Sequence, residues 1–117
     1  MKFEGRELQT YAEPILATEL EEGAAYFAVN YIDDEMLIPT IETLIFIGNN
    51  LEPDDVGQAY FQDVASYREG IPYSWNADDG SATFYSGPEN ELNHIFNYEH
   101  ALEELMRCSL RRKREAV

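Results

Sequence analysis

Glu91-Leu92-Asn93-His94 sets a carboxylate and an imidazole three residues apart. On a helix that spacing puts both on adjacent turns, where they could hold a metal. Carboxylate-bridged metal sites need two such elements, and this chain has one. Asn76-Ala77-Asp78-Asp79-Gly80-Ser81 carries several oxygen donors. It lacks the spaced ligands and closing bidentate glutamate of a calcium loop, and an ordinary turn accounts for it. No metal is expected. Neither is another cofactor, since no phosphate-cradling glycine loop or dinucleotide fingerprint occurs.

Nucleophilic chemistry has equally thin support. Cys108 lies beside Arg107, Arg111 and Arg112, whose cations would favour a thiolate. Near the end of a helix the dipole acts the other way. His100 is eight residues off, out of reach along one helix, so Cys108 reads as a half-buried structural thiol. The serines have no glycine-rich elbow. With two separate histidines, only carboxylates remain for acid–base work. Glu42 stands out because it interrupts an apolar strand. The simple account is an outward residue at the strand's less covered end. No catalytic constellation can be assembled, so the chain reads as non-enzymatic.

Association is the better-supported chemistry. Residues 1–106 carry 22 acidic side chains against Lys2, Arg6 and Arg68, while residues 107–117 carry five basic ones against Glu115. An acidic body repels nucleic acid and anionic membrane and favours a cationic protein surface. Tyr60, Tyr67, Tyr73, Trp75 and Tyr85 cluster in mid-sequence, and strand alternation cannot bury them all. Without basic companions they suit a protein or an amine-bearing ligand rather than single-stranded nucleic acid. Arg111, Arg112, Lys113 and Arg114 exceed what a helix end needs for its dipole, so they join the candidate interface.

The elements that would carry these residues fit one domain. A chain of 117 residues is the common size of one hydrophobic core. An apolar fraction of 44% excludes the disordered class despite a net charge of −15. The single cysteine excludes an intrachain disulfide, and no leader or membrane-spanning run is evident, which suggests a cytoplasmic protein. Residues 1–87 read as a mainly β body and 88–117 as a helical segment with a basic end.

Residues 25–32 alternate, with Phe27, Val29 and Tyr31 on one face. Pro39 should start or edge a strand. Thr40 to Ile47 is apolar on both faces in its second half, as in a strand covered on both sides. Gly48-Asn49-Asn50 closes it with turn chemistry. Ala59 to Gln62 is a short strand, and Asp63 to Gly70 a helical or wide turn. Residues 71–75 and 81–85 would form a hairpin about Asp79-Gly80. Glu7 to Ile15 would add another strand.

Leu92, Ile95, Phe96, Tyr98, Leu102, Leu105, Met106 and Leu110 fall on one half of a helical cylinder, which predicts a core-facing stripe. Glu99 and Glu103 are misfits inside that arc. Either the helix kinks near Asn97, or residues 94–96 form a strand and Asn97 caps the helix. Residues 111–114 point all round the cylinder, so the helix should leave the core near Leu110.

The expected fold is α+β: a small curled antiparallel sheet or SH3-like β-barrel of five or six strands, with a C-terminal amphipathic helix packed on it. The expected function is a protein-interaction module that binds a basic protein surface or a second copy of itself as a homodimer. The alternative is a small ligand-binding or enzymatic β-barrel with carboxylates and tyrosines in a pocket.

Overall fold

A computed structural model describes residues 12–73 and 82–115. Trp75, the turn expected about Asp79-Gly80 and most of the segment Glu7 to Ile15 lie outside the described residues. A 3-10 turn at Ala17–Glu19 leads into β1 (Ala25–Tyr31), β2 (Pro39–Asn49) and β3 (Gln58–Asp63). Then come α1 (Val64–Arg68), β4 (Phe84–Pro88), β5 (Ile95–Phe96) and α2 (Tyr98–Glu115).

The described strands form one antiparallel sheet in the order β4-β3-β2-β1-β5. The fold is therefore α+β with a C-terminal helix. The sheet is open, with β4 and β5 as its edges, and is not closed into a barrel. The segment 71–73 is not a strand, and β4 pairs with β3.

Alternation along β1 sorts the core onto two faces. Tyr26 and Ala28 join Leu44, Phe46 and Phe61 on one face, covered by Ile15, Leu92 and Ile95. The N-terminal segment is tied down there by the Ile15 N–H, which donates to the Ile95 carbonyl at 2.8 Å. Phe27, Val29 and Tyr31 face the other way, against Ala12, Phe96, Ala101 and Leu105. Phe96 is 1% exposed, and burying a side chain of that size contributes roughly 1.5–3 kcal/mol.

β2 starts at Pro39, opposite Tyr31. Its first half is exposed, whereas Leu44, Ile45 and Phe46 are buried. The register slips between Phe46 and Gly48, where Gly48 takes φ +140°, a value glycine adopts without Cβ strain. The strand runs on to Asn49, and Asn50 makes the turn. The Asn50 side chain accepts from the Gln58 N–H at 2.9 Å.

Asp63 ends β3 and caps α1, accepting from the backbone N–H groups of Ser66 at 3.0 Å and Thr83 at 2.8 Å. These contacts, led by the Ser66 hydroxyl, hold the Asp63 carboxyl below its ordinary value.

The alternatives at residues 94–96 resolve as a strand, since Phe96 pairs with Phe27 and Ile95 with Ala28. The Asn97 side chain then accepts from the His100 N–H at 2.9 Å and starts α2. Two expectations about α2 are corrected. Its buried residues are Ala101, Glu104, Arg107 and Cys108; of the expected stripe Leu105 does pack against the core, while Tyr98, Leu102 and Met106 are 60%, 60% and 45% exposed. It also does not leave the body near Leu110, because Arg111 and Arg112 hold the β1–β2 loop. The buried carboxylate of Glu104 accounts for the first, and the Met36 and Leu37 carbonyls, which accept from Arg111 and Arg112, for the second.

Candidate functional site

Glu104 is wholly buried, and α2 can seat it because both oxygens of its carboxylate have a donor nearby. The Ala12 backbone N–H donates to Oε1 at 2.8 Å. The Tyr31 hydroxyl donates to Oε2, and the Arg111 guanidinium lies 3.5 Å from the same oxygen. Burial first, and then the bond to Glu104, pushes the Tyr31 phenol well above its ordinary value. Tyr31 therefore stays neutral and donates at any ordinary pH.

Arg111 carries the pairing outward. Its Nε donates to the Met36 carbonyl at 3.0 Å, and a terminal nitrogen donates to the Tyr31 hydroxyl at 2.8 Å. Its guanidinium lies 5.2 Å from the Tyr31 ring centroid. Arg112 donates to the Leu37 carbonyl at 2.7 Å. The Cys108 Sγ sits 3.7 Å from both carbonyls, buried, as a structural thiol would be. The same loop is fastened from within. Asp33 accepts from the Leu37 and Ile38 N–H groups at 3.0 Å and 2.9 Å. Desolvation works against ionising Asp33, yet those N–H groups, with Arg112 nearby, keep its carboxyl below the ordinary value.

Turning Glu104 inward turns the apolar residues outward. At 100° per residue, Met106 points opposite the ridge formed by Glu104 and Cys108. Leu102 and Leu110 flank it, with Glu99 one turn beyond on one side and Lys113 on the other. Leu102, Met106, Glu99 and Lys113 are exposed and Leu110 is half-buried.

The other candidate interface residues fall in more than one place, with Tyr67 and Tyr73 lining one pocket and the end of α2 lying apart from it. Tyr60 is buried, donating to Asp55 and stacked edge-on with Tyr73 at 5.1 Å. Tyr73 is half-buried and donates to Glu52 at 2.8 Å; burial, then that bond, pushes it up to about 12. Tyr67 is 40% exposed. Lys113 and Arg114 are exposed at the end of α2. These residues do not form one surface with Tyr85, which stands on the edge strand β4.

Tyr85 instead meets Glu42. Its hydroxyl donates to the Glu42 carboxylate at 2.6 Å, and this bond, helped by desolvation, pushes the phenol up to about 12. The pair stands at the rim of a cleft of about 140 Å³ whose floor includes Ala28, Leu44 and Phe61 and whose rim includes Asn30, Glu91 and His94. Glu42 is outward, at the less covered end of β2. Glu91 and His94 share that cleft but lie outside the helix. Among the described residues, no group of three or more His, Cys, Asp or Glu could hold a metal ion.

The apolar arc expected from sequence leaves Glu104 on the opposite half of the cylinder, which a core-facing stripe assigns to solvent, and so misses it. The signal was present in the misfits Glu99 and Glu103, which argued against the arc chosen. Ala101, Glu104, Cys108 and Arg111 recur at helical spacing and define the face that is buried. Comparison of the chain with protein-family models, with curated proteins and with solved structures returns no match.

Proposed function

We propose that this protein is a non-enzymatic interaction module, set in the cytoplasm, that docks through the outward face and basic end of α2. The observation that carries this reading is the inversion of α2. Leu102 and Met106 stand in solvent while a fully paired carboxylate occupies the core. Exposed apolar side chains rimmed by charge mark a protein contact surface. The acidic body selects a partner with basic character, either another protein or the basic end of a second copy, and repels nucleic acid.

The test is capture on immobilised protein at low and high salt, with Leu102→Gln/Met106→Gln beside the wild type. Charge steering should fade as salt screens it over about 8–10 Å. Proteins held by the wild type, lost to the variant and weakened by salt support the reading. The same proteins held equally by both would overturn it.

A second reading has one specific observation behind it, the Tyr85–Glu42 pair over an apolar floor. It makes the cleft a site for a small organic cation, with Glu42 supplying the counter-charge and Phe61 the apolar contact. Calorimetry with short alkylamines tests it. Heat that disappears in Glu42→Gln supports it, and no heat with the wild type removes it.

A further inference from the structure

We propose that α2 pairs antiparallel with α2 of a second copy about a two-fold axis passing beside Met106. This rests on the docking-face reading above and names the partner. The outward seam reads Glu99, Leu102, Met106, Leu110, Lys113, all within about 40° of the pole opposite the buried ridge. Its centre is apolar, its N-terminal end acidic and its C-terminal end basic.

A two-fold contact places the same patch on both subunits, so the seam must complement its own reverse. It does. With Met106 on the axis, Leu102 meets Leu110 of the second copy and Glu99 meets its Lys113. That ion pair occurs twice by symmetry, once at each end. A parallel pairing would set Glu99 against Glu99 and Lys113 against Lys113, and those like charges exclude it. The remaining outward acid, Glu103, is already joined to Arg107 of its own helix at 2.6 Å, so it adds little repulsion. The helix is 18 residues long, enough for the whole seam.

Three apolar side chains per copy make a small contact, of the weak and transient class. The net charge of −15 also pushes copies apart at long range. Pairing should therefore be seen at high protein concentration and at salt near physiological, where the Debye length is about 8 Å.

Sedimentation equilibrium of the full chain, up to about 1 mM, should show the mass rising from 13.5 kDa toward twice that value. Leu102→Gln/Met106→Gln should remain a monomer. Glu99→Lys or Lys113→Glu alone should weaken pairing by roughly tenfold or more, because each creates two like-charge contacts. Glu99→Lys combined with Lys113→Glu should restore it. These are surface positions, and an unchanged circular dichroism spectrum and melting curve will show that each variant folds.

A wild type that stays monomeric throughout, or a double variant as weak as the single ones, overturns the pairing. The capture experiment separates this from failure of the docking face. Partners still lost on Leu102→Gln/Met106→Gln leave that face standing without a second copy on it. Partners unaffected by the variant, with the wild type monomeric, remove both.

Discussion

The inward face of α2 consists of Ala101, Glu104, Arg107 and Cys108, and its outward face of Leu102, Met106 and Leu110 flanked by Glu99 and Lys113. The first is buried and carries two charged side chains beside Ala101 and Cys108, while the second is apolar and mostly exposed. Rotating the helix by half a turn would bury Leu102 and Met106. It would also strip the Ala12 N–H and the Tyr31 hydroxyl of their acceptor and release Arg111 from Glu104. A buried ion pair is seldom more stabilising than apolar residues of the same volume. Stability of the isolated chain therefore gives little reason for this arrangement. Under the proposed docking role association gives one, because the outward face is then available to a partner.

The strongest way to break the contrast is to remove Glu104. Glu104→Ala leaves the buried Ala12 N–H and the Tyr31 hydroxyl without their acceptor and takes the counter-charge from beside Arg111. A loss of about 3–5 kcal/mol is expected by denaturant unfolding, a large part of a small domain's stability. Glu99→Ala, on the exposed face opposite Glu104, should change stability by less than about 0.5 kcal/mol. Similar losses at the two positions would mean that Glu104 is not the anchor.

Truncation sharpens the same point. Deleting residues 111–117 removes Arg111 and Arg112, and with them the contacts to Glu104, Tyr31, Met36 and Leu37. A charge-assisted bond of this kind contributes about 1.5–3 kcal/mol, so the shorter chain should melt lower. Deleting only residues 113–117 leaves those contacts in place and should leave the melting temperature nearly unchanged. An intact melting temperature in both would show that the basic end does not hold the body.

Asp63 tests, away from α2, whether polar groups gathered under one carboxylate behave alike. Its carboxyl is held below the ordinary 3.8 by the Ser66 hydroxyl first, then by the Thr83 and Ser66 N–H groups. Because the folded value is the lower one, its contribution is complete above the ordinary value and is lost as pH falls through the folded value. Asp63→Ala should cost about 1 kcal/mol at neutral pH and progressively less below pH 3.8. A cost that does not shrink in acid would mean that packing, not the carboxylate, carries the cap.

Strands were easier to read from sequence than the helix face, and the reason is local. Phe27, Val29 and Tyr31 alternate with smaller residues, so period and side are given together. Pro39 cannot donate to a ladder and starts β2. Asn97 was legible as a cap because its side chain acts within three residues. Glu104 was not, because its partners Ala12 and Tyr31 lie 92 and 73 residues away in sequence. Hydrophobic periodicity assumes that the apolar arc is the buried one, and here a paired carboxylate overrides it. The Glu42–Tyr85 bond, 43 residues apart, was out of reach for the same reason, though Glu42 itself was conspicuous among apolar neighbours.

The smallest expected effect is also the most discriminating. Leu102 is 60% exposed, so Leu102→Ala opens no cavity, and alanine is at least as good a helix former. Measured in dilute protein, where self-association is negligible, the change should stay within about 0.5 kcal/mol. A leucine in a core would lose about 2–5 kcal/mol on the same substitution. That result would mean the helix presents Leu102, not Glu104, to the sheet. In concentrated protein a second copy bound only to the folded chain adds stability by mass action. The cost of Leu102→Ala should therefore grow with protein concentration. A small cost that stays constant would place Leu102 in solvent and deny it a partner, whereas a cost that grows would identify the outward face as the one that associates.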